Sequence, residues 1–290
     1  DVNAGSQTTD TATNLGAGTY TVTVTDQKGC SDDTTVTVEE PDALVANTTA
    51  QDSVSCNGLT DGSASVTAIG GNLNYTYQWD VNAGSQTTDT ATNLGAGTYT
   101  VTVTDQKGCN DDTTVTVEEP DALVANTTAQ DSVSCNGLSD GSASVTAIGG
   151  NLTYSYQWDV NAGSQTTDTA TNLGAGTYTV TVSDQYGCSD DTTVTVEEPD
   201  AIVANTTAQD SASCNGLFDG SASVTAIGGN LTYSYQWDAS AGSQTTDTAT
   251  NLAAGTYTVT VTDQKGCSDD TTVTVLEPDA IVANTTAQDS

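Results

Sequence analysis

Cysteines and carboxylates are the residues of this sequence whose types and spacing could do chemistry. Seven cysteines stand at positions 30, 56, 109, 135, 188, 214 and 267, separated alternately by 26 and 53 residues. There is no histidine and no Cys-x-x-Cys pair, so zinc and thioredoxin-like redox chemistry are weak readings. Regular placement in small repeated units reads instead as disulfides formed in an oxidising compartment. A second set, Asp61, Glu119, Asp121, Asp184, Asp190 and Asp191, clusters around one junction of the repeat. Oxygen ligands gathered in this way suit Ca²⁺, which accepts six to eight of them in irregular geometry. Solvated turn and linker residues are the plainer reading, because Asp favours turns through local hydrogen bonds. Neither an EF-hand loop nor a nonapeptide Ca²⁺ repeat is present.

Catalysis finds little support. Without histidine, neither a Ser-His-Asp nor a Cys-His system can be assembled. Near-identical carboxylate pairs spread along a repeat fit structure better than one tuned active site. The formal net charge of −35, with three Lys and no Arg, argues against binding nucleic acid, which needs cations to displace phosphate counterions. It argues equally against docking on anionic membranes, and no apolar run is long enough to span a bilayer.

The elements that position these groups recur every 79 residues. The stretch Gly97-Thr98-Tyr99-Thr100-Val101-Thr102-Val103-Thr104 returns at Tyr20, Tyr178 and Tyr257. Its period-two alternation predicts a strand with one face in a core and one in water. The repeat gives boundaries at 1–42 (the second half of a unit), 43–121, 122–200, 201–279, and 280–290 (the first strand of the next unit). The sequence starts in mid-motif at Asp1 with no start Met or signal peptide, so a longer parent protein is expected.

Within 122–200 the pattern predicts strands over 122–129, 142–148 and 154–158, two short strands within Gly163–Asn172, the strand opening at Tyr178, and a last one over 192–196. Seven short strands, a Trp on the third and a Tyr opening the sixth predict an all-β fold of tandem immunoglobulin-like sandwiches, head to tail as a rod. The Tyr is expected to form a corner hydrogen bond. Trp79, Trp158 and Trp237 are expected in the core, with a carbohydrate platform as the alternative.

Strand parity bears on the cysteines. Cys135 precedes the second strand and Cys188 follows the sixth, which places them at opposite poles of one sandwich, too far apart for a bridge. Pairing between neighbours would then join Cys56 to Cys188 and Cys135 to Cys267. Pairing within each unit, Cys56 to Cys109 and its equivalents, holds instead if the Thr-rich stretch forms a single strand. Free thiols are the third possibility; the disulfide candidates are Cys56, Cys109, Cys135, Cys188, Cys214 and Cys267. Asn47, Asn126, Asn205 and Asn284 match the N-glycosylation pattern, which a Thr-rich chain produces by chance.

Ser-Cys-Asn-Gly-Leu-Ser-Asp-Gly-Ser-Ala-Ser-Val-Thr (134–146), Tyr-Ser-Tyr-Gln-Trp (154–158) and Asn-Leu-Gly-Ala-Gly-Thr-Tyr-Thr-Val-Thr-Val (172–182) with Gly187-Cys188 together resemble the SprB repeat of Bacteroidota cell-surface adhesins. The resemblance implies export by the type IX secretion system, display on the outer surface, and a role in gliding motility or attachment. It also implies the motility and secretion machinery as partners, beside neighbouring repeats of the chain. In that lineage Asp-Ser/Thr-apolar triplets carry O-glycans, which here would fall on Thr11, Ser53, Thr90, Ser132, Thr169, Ser211 and Thr248. The expected function is the stalk of a large adhesin. The alternatives are a multivalent module that binds a glycan or solid surface, and a homopolymeric filament whose subunits exchange strands.

Overall fold

The computed structural model describes residues 1–285. The chain divides into two compact units, Asp1–Asp121 and Ala122–Ser290. The first unit opens with the antiparallel pair β1 (Gly18–Thr25) and β2 (Ser31–Val38). A sandwich follows, made of β3 (Val45–Asp52), β4 (Gly62–Ile69), β5 (Thr76–Trp79), β6 (Thr90–Leu94), β7 (Gly97–Thr104) and β8 (Asn110–Val117). Its two sheets run β3-β4-β6 and β5-β7-β8.

The second unit holds two such sandwiches. One comprises β9 (Val124–Asp131), β10 (Gly141–Ile148), β11 (Ser155–Trp158), β12 (Thr169–Leu173), β13 (Gly176–Ser183) and β14 (Ser189–Val196). The other comprises β15 (Val203–Asp210), β16 (Gly220–Ile227), β17 (Tyr233–Trp237), β18 (Thr248–Leu252), β19 (Gly255–Asp263) and β20 (Ser268–Val275). Residues 280–285 carry no strand, and the rest of the strand expected over 280–290 lies outside the described residues.

Alternation sets the core. On β13, Tyr178, Val180 and Val182 are buried while the threonines between them are not. Tyr178 and Val180 pack in one cluster with Val145 of β10, Val194 and Val196 of β14, and Trp158. Ala143 and Ala170 face each other in register and are fully buried; their small side chains leave room for the indole. Trp158 is 1% exposed and its Nε1 donates to Thr167 O at 2.8 Å. Trp79 and Trp237 are buried in the same way, so the three indoles are core and not carbohydrate platforms. Truncating one to Ala would cost about 3–5 kcal/mol. The tyrosine corner is present in every copy: Tyr178 Oη donates to Gly174 O at 2.9 Å, Tyr99 to Gly95 O at 2.9 Å, Tyr257 to Ala253 O at 2.9 Å and Tyr20 to Gly16 O at 2.8 Å.

Each sandwich has six strands where the sequence predicts seven. The stretch Gly163–Asn172 contributes one strand and not two. Side chains take over the backbone groups that a further strand would have satisfied. Asp159 caps the 3-10 turn Val160–Ala162: its Oδ1 accepts from Ala162 N at 3.0 Å and its Oδ2 from Thr179 N at 2.7 Å. Gln165 Nε2 donates to Ala162 O and Thr171 O, and its Oε1 accepts from Thr171 N at 3.1 Å. The chain therefore crosses between sheets at mid-height. The short β11 and β12 together make one traverse, and Cys135 and Cys188 still lie at opposite poles. At the other edges the strands run longer than expected: β14 begins at Ser189 because Asp190 and Asp191 pair with Val182 and Thr181.

Candidate functional site

At the end of its sandwich, Ser134-Cys135-Asn136-Gly137 forms a loop docked on the outgoing linker. Val133 N donates to Glu197 O at 3.0 Å, Asn136 Nδ2 to Pro199 O at 3.1 Å, and Gly137 N to Glu198 Oε2 at 2.8 Å. Asp140 accepts from Ser134 N at 2.9 Å and from its hydroxyl. The hydroxyl bond first, and the backbone bond after it, hold the Asp140 carboxyl below its usual range. Tying loop to linker fixes the direction in which Cys135 points.

Its partner lies on the β19–β20 hairpin of the following sandwich. Asp263 is 5% exposed. Its Oδ1 accepts from Lys265 N at 2.8 Å and Cys267 N at 3.0 Å, and its Oδ2 from Asn230 N at 2.7 Å and Asn230 Nδ2 at 3.0 Å. Burial alone would raise this carboxyl, but the bonds from Asn230 and the hairpin amides outweigh it and lower the pKa to about 2. Gly229 permits the approach: at φ +60° an added Cβ would meet Asp263 Oδ2 at 2.8 Å. Asp105 with Asn72, and Asp184 with Asn151, repeat the cage, and both carboxyls are likewise held low. These asparagines escaped the sequence reading. Their signal is Gly-Gly-Asn placed 33 residues before the hairpin Asp in each copy.

Within Ala122–Ser290 the two poles meet. Cys135 and Cys267 form a disulfide with Cα atoms 5.6 Å apart. Asn230 Nδ2 donates to Ser134 O at 2.9 Å, and Cys267 Sγ lies 3.2 Å from the same oxygen. A small cavity beside the bridge is lined by Cys135, Asn136, Leu138, Ala201, Ile202 and Cys267. The bridge therefore joins neighbouring sandwiches. Cys109 and Cys214, expected among the paired cysteines, are free and exposed, as is Cys30. The bridged positions are 132 apart.

Family comparison follows the same repeat. The SprB repeat model matches residues 48–84, 127–163 and 206–242. Three stretches of the chain, one in each 79-residue repeat, are similar to the SprB repeat. No curated protein sequence matches it. Among solved structures, the three N-terminal domains of the outer capsid protein Hoc of bacteriophage RB49 are 16% identical, with a TM-score of 0.37 over 81% of this chain and 95% of that one. The N-terminal eight Ig domains of DSCAM are 11% identical, with a TM-score of 0.36 over 91% of this chain and 40% of that one. The strand pairing itself, three strands facing three with a buried Trp and a tyrosine corner, makes each unit immunoglobulin-like.

Of the carboxylates expected around Ca²⁺, all but Asp121 have a local donor or a place in a ladder. Asp61 accepts from Ser55 N at 3.0 Å, Glu119 from Gly58 N at 2.8 Å, Asp184 from Asn151, and Asp190 from Ala125 N at 2.9 Å. Asp191 pairs with Thr181, and Asp121 ends the first unit. The equivalent residues at the Cys135–Cys267 joint follow suit: Glu198 holds Gly137 N, and Asp269 holds Ala204 N at 2.9 Å. Among the described residues no group of three or more Cys, Asp or Glu is set to hold a metal ion, and no helix is long and apolar enough to cross a membrane.

The hydroxyls singled out for glycans divide into two kinds. Thr90, Thr169 and Thr248 are half-buried and bonded across the sheet to Ser65, Ser144 and Ser223 at 2.9 Å. Thr11, Ser53, Ser132 and Ser211 are exposed.

Proposed function

We propose that this chain is a load-bearing stalk segment of a repetitive extracellular adhesin. Its sandwiches give reach and its cross-joint disulfides resist extension. The Cys135–Cys267 bridge carries the reading. It connects the end of one sandwich to the start of the next and bypasses a sequence separation of 132 residues. A pull between the chain's ends would pass through the sulfurs and leave the bypassed strands unloaded. The repeat sets Cys56 and Cys188 in the same sequence relation, and the proposal extends the staple to them.

Surface display, type IX export and service in gliding or attachment are the finer reading, supported by the likeness to the SprB repeat. Calcium would join this account only by taking junction carboxylates from their amide and hydroxyl donors. A thermal melt with and without added Ca²⁺ tests that, and a rise of several degrees would bring the metal in.

Single-molecule pulling on the full chain tests the stalk. At roughly 3.4 Å per residue, each staple hides about 450 Å of contour. The oxidised chain should extend at least that much less than the reduced one. Equal extension would end the load-bearing reading.

A further inference from the structure

The Cys135 loop holds a reactive pair of residues. Leu138 N donates to Cys135 O at 3.1 Å, and the turn this closes sets Gly137 at φ +77°, a conformation that favours glycine. The missing Cβ also makes Gly137 N an unhindered nucleophile toward the side chain before it, which is Asn136. Asparagine followed by glycine is the pair most prone to close a five-membered imide and lose ammonia. Of the five asparagines in 122–200, at 126, 136, 151, 161 and 172, Asn136 alone precedes glycine.

Burial does not protect this pair, since Asn136 and Gly137 are both exposed. The linker does. Asn136 Nδ2 donates to Pro199 O at 3.1 Å, and Gly137 N to Glu198 Oε2 at 2.8 Å. The first bond ties down the group that must leave, and the second ties down the atom that must attack. Ring closure turns Gly137 N onto Asn136 Cγ, so it waits for a local opening that breaks both bonds. Glu198 also sets a negative charge beside an amide that must give up its proton, which opposes that step.

We propose that Asn136 is a latent deamidation site, kept unreactive by the linker, and that its conversion releases the Cys135 loop from that linker for good. In the opened loop Gly137 N attacks Asn136 Cγ, the Cγ–Nδ2 bond breaks, and ammonia leaves with the amide proton. Water then opens the imide at either carbonyl, giving aspartate or isoaspartate. Neither product docks again. Aspartate has no donor for Pro199 O and brings a second carboxylate toward Glu198. Isoaspartate also adds the Cβ to the main chain, which displaces Gly137 N from its acceptor. Asn136 lines the cavity beside Cys135 and Cys267, so the change falls at the joint. There the disulfide keeps the two sandwiches together after the loop has let go.

Two other loops serve as internal controls. Gly58 N donates to Glu119 Oε2 at 2.8 Å after Asn57, and Gly216 N to Glu277 Oε2 at 2.6 Å after Asn215. Each pair has its own linker glutamate, so a change at Glu198 touches Asn136 alone.

The test is Glu198→Ala in the full chain, aged in mildly alkaline buffer and read by peptide mapping at Asn57, Asn136 and Asn215. Glu198 is exposed, so the variant keeps the fold, which circular dichroism verifies. A hydrogen bond to a charged group shifts the opening equilibrium about tenfold or more. Asn136 should therefore deamidate about tenfold faster than in the wild type, with Asn57 and Asn215 unchanged. Glu198→Gln, which keeps an acceptor, should fall between the two. Equal rates at Asn136 in the wild type and Glu198→Ala would overturn the inference, as would equal acceleration at all three sites. A second measurement needs no variant: Asn136 should react at least about tenfold more slowly in the native chain than in urea, and equal rates would also overturn it. For the product, Asn136→Asp should speed amide exchange at Val133 and Gly137 and leave Val54 and Gly58 unchanged. Exchange at Val133 and Gly137 as slow as in the wild type would show that the product still docks and would overturn the release.

Discussion

The hairpins at Asp105–Cys109 and Asp263–Cys267 have the same sequence, Asp-Gln-Lys-Gly-Cys, and the same aspartate cage. They differ in their surroundings. Cys267 is 8% exposed and bridged to Cys135, whereas Cys109 is exposed and free. Asn230 makes two contacts that Asn72 lacks, to Ser134 O at 2.9 Å and to Cys267 Sγ at 3.7 Å. The hairpin is thus shaped by its own sandwich before any neighbour arrives. The joint recognises a preformed element, and the disulfide locks what the fold already presents.

Removing the staple should separate the two hairpins most. Loop closure over about 132 residues sets an upper limit of about 5 kcal/mol for Cys135→Ser. Amide exchange should rise around Cys267 and remain unchanged around Cys109; equal rises would mean the bridge has no local role. Acid should act on both hairpins alike. Their aspartate pKa values are depressed on folding, so the stabilisation is complete above the unfolded value of about 3.9 and is lost as pH falls through the folded value. For Asp263 that window runs from about 4 down to about 2. Denaturant midpoints should fall across this range, with a shallower slope in Asp263→Asn.

Smaller effects should come from the glycine beneath each cage. Gly229→Ala and Gly71→Ala both place a Cβ at positive φ within 3.0 Å of the carboxylate. Each should cost about 1–3 kcal/mol by chemical denaturation, the same beneath the bridged and the unbridged hairpin. The smallest difference separates Asn230→Ala from Asn72→Ala: the former should be costlier by about 1 kcal/mol, the worth of one hydrogen bond. Equal costs would show that the Ser134 contact contributes nothing.

Most of the sandwich was legible in the sequence. Tyr178, Val180 and Val182 alternate cleanly with threonine, and one Trp and one Tyr per repeat identify the core and the corner. The strand count was not, because the seventh strand is replaced by bonds from the Asp159 and Gln165 side chains to backbone, and hydrophobic periodicity does not register side-chain acceptors. The opposite poles of Cys135 and Cys188 followed from counting traverses, and survive because two half-length strands count as one. The aspartate cages were hidden for another reason. An Asp in a hairpin reads equally as turn former, metal ligand or amide acceptor, and only the placement of Asn230 beside Asp263 decides which.

Non-reducing peptide mapping of the full chain, after alkylation under native conditions, tests the cross-joint staple most directly. Cleavage at acidic residues suits a chain with three lysines, and Thr60, Ser139 and Phe218 tell the three cysteine loops apart. The account predicts alkylated Cys30, Cys109 and Cys214 and a Cys135 peptide linked to Cys267. A Cys135 peptide linked to Cys188 would close the bridge within one sandwich and contradict the stapled joint.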